Sequence, residues 1–481
     1  MASDGQQNSS PYDVARSPDA DRPSLLRRCA LRLGVDRAIG FAVLARFWQL
    51  LTGPVTQLLI VFCLTEVEQG YYYAFMNLLA MQIFVELGLH VVLINVASHE
   101  WGGLALGDTG LTGDPQRLSR LVSLGRTAVR WYAVASIVFV AGVMIAGWLF
   151  FRGLTDDSGA PLTGVDWLAP WCTLVVLTGL QLSVLPLTAI LEGCDQLRIV
   201  NRVRFWQAVA GSVCVWLAMG TGFGLWALCA SAAVRLLGET WLVFVRFRSF
   251  FAPFRSAPTE AGIDWWREIV PLQWRMAVQG ALLWFANHLA LLVVLKYHGP
   301  EAAGQYGMMS TVLVALQAAS LSWIETRRPV FGQLIAEQAW RQLDETFFRM
   351  SRISITLLAA GATAFTLGVW IAGLLPWWFF ERISARLPGV VPTLLLSLAL
   401  VIMQLAQCTN IYVRAHKKDP FLLAAVVSNI SIALLVFVLG RELGATGVAL
   451  GYLIGVSLVQ VPWWVGIWWR TRAQWHTEGA A

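Results

Sequence analysis

The sequence predicts an all-α polytopic membrane protein of about 12 transmembrane helices, arranged in two six-helix lobes related as parallel repeats. Three observations predict it. Of 481 residues, 57% are hydrophobic and 13% charged, with mean hydropathy +0.61, against roughly 25% charged in soluble domains. Apolar runs recur that are long enough to cross the roughly 30 Å hydrocarbon layer at about 1.5 Å per residue. Two patterns also return. Gly70 and Tyr72 match Gly304 and Tyr306, displaced by about 234 positions, and Phe223–Leu228 matches Thr446–Gly451, displaced by about 223.

Residues 1–37 comprise a polar tail without an apolar core of signal-peptide length, followed by an interfacial segment, Pro23 to Arg37. There, arginines and leucines alternate at helical spacing. The expected spans run at about 40–63, 71–97, 129–151, 168–191, 203–220, 223–245, 275–296, 304–325, 353–375, 389–412, 420–439 and 445–468. Of the Lys and Arg residues, 28 fall on the side that holds the N-terminus, five on the other, and Arg46 and Arg235 inside spans. The positive-inside rule then places both termini in the cytoplasm. Tryptophans at both ends of the spans, such as Trp206 and Trp241 inside and Trp377 and Trp378 outside, read as interfacial anchors.

Residues 247–274 carry Pro253, Pro258 and Gly262 and close on Ile263–Ile269, the pattern of a cytoplasmic linker with an amphipathic helix. It separates an N-terminal lobe (38–246) from a C-terminal lobe (275–469), with a cytoplasmic tail at 470–481. Six spans per lobe is an even number, so both lobes enter from the same side and are parallel, not inverted, repeats. The scattered basic loops exclude a nucleic-acid-binding surface. Seven cysteines without CxxC spacing read as buried thiols. There is no P-loop, metal-ligand cluster or nucleophile elbow, so the sequence offers neither an ATP-driven pump nor a hydrolase, and implies no cofactor.

Three stretches carry a family resemblance: GYYYAF…ELGL from Gly70, LEGCDQ from Leu191 followed by RIVNRVRFWQ, and RAHKKDPFLLAAVVSN…LGATGVALGYLIG from Arg414. They resemble the polysaccharide transport branch of the multidrug/oligosaccharidyl-lipid/polysaccharide (MOP) exporter superfamily, over nearly the whole chain after about residue 38. The resemblance implies a two-lobed bundle around a cavity that opens alternately to either face. It also implies a flippase role in polysaccharide biosynthesis, with lipid-linked saccharide and membrane lipids as partners and a polysaccharide polymerase or glycosyltransferases as neighbours. Drug antiporters and lipid II flippases share the fold.

The intramembrane charges are read from the residues themselves. Arg46, about 10 Å into span 1 from the inside, and Glu86, about 22 Å into span 2 from the outside, reach similar depth. Two roles are open: a structural ion pair, or a guanidinium that binds diphosphate while Glu86 positions it or exchanges a proton. Arg235 and Glu239, one turn apart in span 6, are spaced for an intrahelical pair or for a cavity-facing cation near mid-membrane. His288 in span 7 is either a packing histidine or a coupling group. Gln273, Gln279, Gln317, Gln404, Gln407, Asn410 and Asn429 suit helix joining better than sugar binding. A lipid-linked oligosaccharide flippase is the leading reading. A cation-coupled exporter, which predicts a cavity of acids and aromatics, and a scaffold, which predicts fully paired arginines, stand beside it.

Overall fold

Twelve membrane crossings are built from helices that often run past their expected ends. The structure, a computed structural model, describes residues 37–86, 88–107, 110–153, 165–255, 263–416 and 420–478. The expected N-terminal tail and interfacial segment, the Asp156/Asp157 and Lys417/Lys418 loops, and the side chains of Arg46, Gln273 and Gln279 lie outside this set. Within it, eight helices are long and apolar enough to cross a membrane. Two of these are folded back on themselves, and α1 (Arg37–Cys63) and one bent pair complete the twelve.

The bent pair covers the expected span 71–97 and puts a break inside it. Thr65 caps α2 (Glu66–Leu79) in a full capping box with Glu68, worth about 1 kcal/mol. The chain continues through a short helix, Ile83–Glu86, and then bends by 43° into α3 (Leu89–Trp101). Gly88 makes the bend at φ 70°, a left-handed conformation that a side chain disfavours. Glu86 therefore sits at a break in the helix, inside the crossing.

Beyond α3, β1 (Leu104–Gly107) and β2 (Gly110–Gly113) form an antiparallel hairpin that the sequence reading did not anticipate. Helix α4 (Pro115–Arg152) starts a full 14 residues before its expected span, with Asp114 capping the Gln116 amide at 2.9 Å. Three further crossings follow: α5 (Leu168–Gly193), α6 (Leu197–Gly220) and α7 (Trp226–Trp241), the last extended by a wider turn to Arg246. Gly147 and Gly179 let α4 and α5 approach, since a Cβ would lie 2.4 Å from Trp171 at the first and 2.2 Å from Val140 at the second.

The second set begins with α8 (Val270–Glu325), 56 residues that would span about 84 Å if straight. Gly299 (φ 82°, ψ 174°) and Pro300 fold it into two arms. Both arms descend beside α2: Pro300 meets Gly70, while Gly307 on one arm meets Tyr73 and His288 on the other bonds Asn77. Short α9 (Arg328–Ala336) leads to α10 (Trp340–Leu374), surface helix α11 (Trp378–Ala385) and α12 (Val390–Ala415). Helix α13 (Leu422–Gly455) reverses at Gly444 (φ 59°), and its arms pack through glycine: Gly447 on Leu439, Gly451 on Leu435, Gly455 on Ile432. Helix α14 (Val461–Glu478) closes the described chain.

Three apolar cores show how the two sets of helices meet. One, at the end away from the termini, joins residues of both, including Val61, Phe75, Leu225, Leu295, Met309 and Val448. At the terminal end there are two separate cores. Leu93, Leu124, Ile190 and Phe250 belong to the first set, and Phe347, Tyr412, Phe421 and Trp468 to the second. The sets are thus packed together at one end and apart at the other.

The described parts of two terminal-end segments are packed. In the 247–274 connection Phe247, Phe250 and Ile269 are buried against the β-hairpin and α3, and Trp265–Ile269 is a wide helical turn that runs straight into α8. The C-terminal helix continues to Glu478. There, Arg472 is hydrogen-bonded to Asp344, which raises its pKa above the usual arginine range, and Trp475 stacks on His416 at 4.0 Å.

Candidate functional site: an intramembrane cavity sealed at one end

A cavity of about 690 Å³ lies inside the bundle, walled by α1, α2, α5, α6 and α7. Its polar lining is concentrated on α6 and α7: Arg204 and Gln207 on one, Ser231, Arg235 and Glu239 on the other, with Thr178 and Gln181 on α5. Residues 231, 235 and 239 recur every fourth position, so one helical stripe presents all three to the cavity.

The expected Arg235–Glu239 pair is not formed. Glu239 is 8% exposed and accepts from Gln181 Nε2 at 3.5 Å, while its second carboxylate oxygen has no partner among the described residues. Arg235 is exposed to the cavity and forms no ion pair with a described residue. Its backbone carbonyl accepts from Gln207 Nε2 at 2.9 Å, which fixes α7 against α6 at this level. One turn of spacing permits a pair but does not require it, and here the wall of the cavity gives each side chain a different environment.

A second ionic group, missed by the sequence reading, lies beside the first. Arg204 Nη2 donates to Glu192 Oε1, and His90 Nε2 stands 3.8 Å from the same oxygen. Arg204 stands at the edge of the expected span 203–220 and counts there with the basic cluster of the loop, whereas α6 begins at Leu197 and carries it inside. Glu192 had entered only as part of a motif. Both fall in the α5–α6 hairpin, and running each apolar span one or two turns further would have placed them at one depth.

The other residues singled out in the sequence take these places. Glu86, half-buried at the α2–α3 break, makes no ion pair with a described residue, and its expected partner Arg46 has a side chain outside that set. His288 places Nδ1 at 2.7 Å from Asn77 Oδ1, stacks on Trp284 at 5.5 Å and so ties α8 to α2. Gln404 donates to Ser354 at 2.7 Å, joining α12 to α10.

One end of the cavity is closed by a polar and aromatic seal between the two sets of helices. Gly70 and Gly304 allow backbone contact: a Cβ on Gly70 would lie 2.0 Å from the Pro300 carbonyl oxygen, and one on Gly304 2.9 Å from the Gly70 nitrogen. Gln69, 1% exposed, donates to the Gly304 carbonyl at 2.9 Å and accepts from Arg386 Nη1 at 3.2 Å. Arg386 also donates to the Leu64 carbonyl, and Arg382 to those of Val61 and Phe62. Burial lowers the Arg386 pKa below the usual arginine value, against the raising influence of Glu66, Glu68 and Glu301. Phe62 stacks on Phe379 at 5.5 Å beside this lock.

No family model and no curated protein matches the chain. Solved structures do. An inward-facing multidrug resistance MATE family transporter of the MOP superfamily superposes with TM-score 0.61, at 13% identity, over 89% of this chain and 99% of its own. The chain shares the fold of this transporter. The lipid II flippase MurJ in an inward closed conformation gives TM-score 0.57 at 13% identity, covering 92% of this chain and 91% of its own. A MOP superfamily transporter from Pyrococcus furiosus gives 0.53 at 12%, covering 93% and 97%. Within this fold, the split at the terminal end and the seal at the other give one closed and one parted face.

Proposed function

We propose that this chain is a flippase that carries a lipid-linked oligosaccharide, through its diphosphate, across the plasma membrane by alternating access. The observation that carries the reading is Arg235: a guanidinium exposed to an intramembrane cavity, with no carboxylate bound among the described residues. A permanent cation with a fork of donors suits a diphosphate, and removal from bulk water strengthens that attraction. Arg204 adds a second guanidinium to the lining. The MOP fold supports alternation, since the seal at one end would have to open as the parted face closes. Binding shifts that equilibrium only by differential affinity for the two states, so net transport needs a membrane potential or ion gradient as well. Both termini are cytoplasmic in this reading, so the seal faces outward and the cargo enters from inside.

A cation-coupled exporter is the second reading, favoured by one observation: Glu239 is a buried carboxylate with an oxygen left without a described partner. Full-length protein in vesicles, supplied with labelled lipid-linked saccharide, separates the two. A flippase moves this saccharide, loses that transport in Arg235→Ala and retains it in Glu239→Gln. Failure of the unaltered protein to move it would reject the flippase reading in favour of the exporter.

A further inference from the structure

The α6–α7 wall has a second face. On its far side from the cavity lies a groove of about 870 Å³, lined by Arg198, Arg202 and Trp206 of α6, Gly238 and Trp241 of α7, and Arg246 beyond it. It sits at the end of the bundle that carries the termini, where α6 begins and α7 ends, and it opens away from the bundle. Arg198 and Arg202 are one turn apart, so their stems emerge from one face about 6 Å from each other. None of the three arginines is ion-paired with a described residue, in contrast to Arg204, which faces the cavity and holds Glu192. Asp195 is the one carboxylate in the lining, so the groove keeps a cationic surplus of two among its described residues. Apart from Gln196 and Gln207, the rest of the lining is apolar or aromatic, as suits an acyl or prenyl chain, and tryptophan is at home at the level of lipid headgroups.

We infer that this groove is a docking site for the diphosphate head of a membrane lipid, with its chain lying along α6 and α7 in the surrounding bilayer. The charge is the reason for choosing a diphosphate: a surplus of two guanidiniums matches its two or more negative charges, and exceeds what one phosphodiester offers. The inference deepens the proposed function and rests on it only for the link to transport. That link is Gln207, which lines groove and cavity alike. Its side chain packs where a Cβ on Gly238 would stand, at 2.4 Å, and is 8% exposed. The two spaces are thus separated at this level by one amide side chain laid over a glycine. Docking there would hold a diphosphate lipid one side chain away from Arg235.

The test uses the full chain in phosphatidylcholine vesicles containing a photoreactive polyprenyl diphosphate, with crosslinks mapped by mass spectrometry to α6 and α7. Crosslinking to the groove should fall at least about tenfold in the Arg198→Gln, Arg202→Gln, Arg246→Gln triple variant, the loss of one strong charge-assisted contact being enough for that factor. Excess phosphatidylglycerol should not displace the probe. Unchanged crosslinking in the triple variant overturns the site. So does full displacement by phosphatidylglycerol, which would make these arginines ordinary anchors for anionic headgroups. Arg202→Gln alone, expected to give a partial loss, serves if the triple variant fails to insert. Arg235→Ala should leave groove crosslinking at the wild-type level while stopping transport. If it transports normally, the proposed function fails and the docking site stands; if crosslinking is absent but transport still depends on Arg235, the docking site fails alone.

Discussion

Arg235 and Glu239 show that a residue's role inside a bundle is set by what faces it. Both sit on one stripe of α7, yet Glu239 is buried beside Gln181 and Arg235 looks into the cavity. Arg235→Ala should abolish export with normal insertion, and Arg235→Lys should restore only part of it, because an ammonium lacks the bidentate fork. Transport normalised to inserted protein checks this; full activity in the alanine variant would remove Arg235 from the mechanism. Arg204 predicts a different outcome. Replacing it with Ala leaves the largely buried Glu192 without its arginine partner, so this variant should lose thermal stability as well as transport. Arg204→Ala combined with Glu192→Gln should recover much of the stability. These two residues were legible as charged positions but not as partners, since their meeting depends on where the α5–α6 hairpin turns.

At the scale of elements, glycine decides which helices bend and which touch. The α13 hairpin is held by Gly447, where a Cβ would lie 1.9 Å from the Leu439 carbonyl oxygen. Gly447→Ala should therefore cost about 1–3 kcal/mol, the usual range for overpacking, and lower the midpoint of thermal unfolding measured in detergent. Gly211, with nothing within 4 Å of an added Cβ, supplies the control: Ala there should be neutral or slightly stabilising. The LGATG pattern around Gly444 signals such a turn in the sequence, and the two arms were read correctly as separate spans. The break at Gly88 was not read, because an isolated glycine in an apolar run looks like any other helical glycine. Its φ of 70° follows from how α3 packs on α5, which no local pattern carries.

For the whole molecule, the seal at Gly70, Gln69 and Arg386 is the contact that the proposed alternation would have to break. Cysteines at Phe62 and Phe379, whose rings stack at 5.5 Å, should crosslink across it and stop transport until reductant is added. Undiminished transport by the crosslinked protein would show that this face need not open. Arg386→Gln removes donors that hold the carbonyl of Leu64 and the amide of Gln69, and should shift the population toward a state open at this face. Accessibility of a cysteine at Thr56, in the cavity wall, to a membrane-impermeant reagent from outside the cell reads that shift. Topology has its own test: a cysteine at residue 156 should label from outside intact cells and one at 417 should not.

The sequence alone determined that the chain is a membrane bundle of twelve crossings in two halves, because length, apolarity and repetition are properties of each segment by itself. Hydrocarbon demands a closed helix of a certain length wherever the chain crosses, so the signal is local and strong. It also marked Arg235, Glu239, Glu86 and His288 as notable, since a charged or titratable group in an apolar run is costly wherever it points. Only the tertiary structure decided where they point. It separated Arg235 from Glu239, joined Arg204 to Glu192, set His288 against Asn77 and gave α6 both a cavity face and a face on a second groove. In lipid the outward side of a helix is as apolar as its packed side. Hydropathy therefore locates a span but does not say which of its faces meets a neighbour, a cavity or the bilayer.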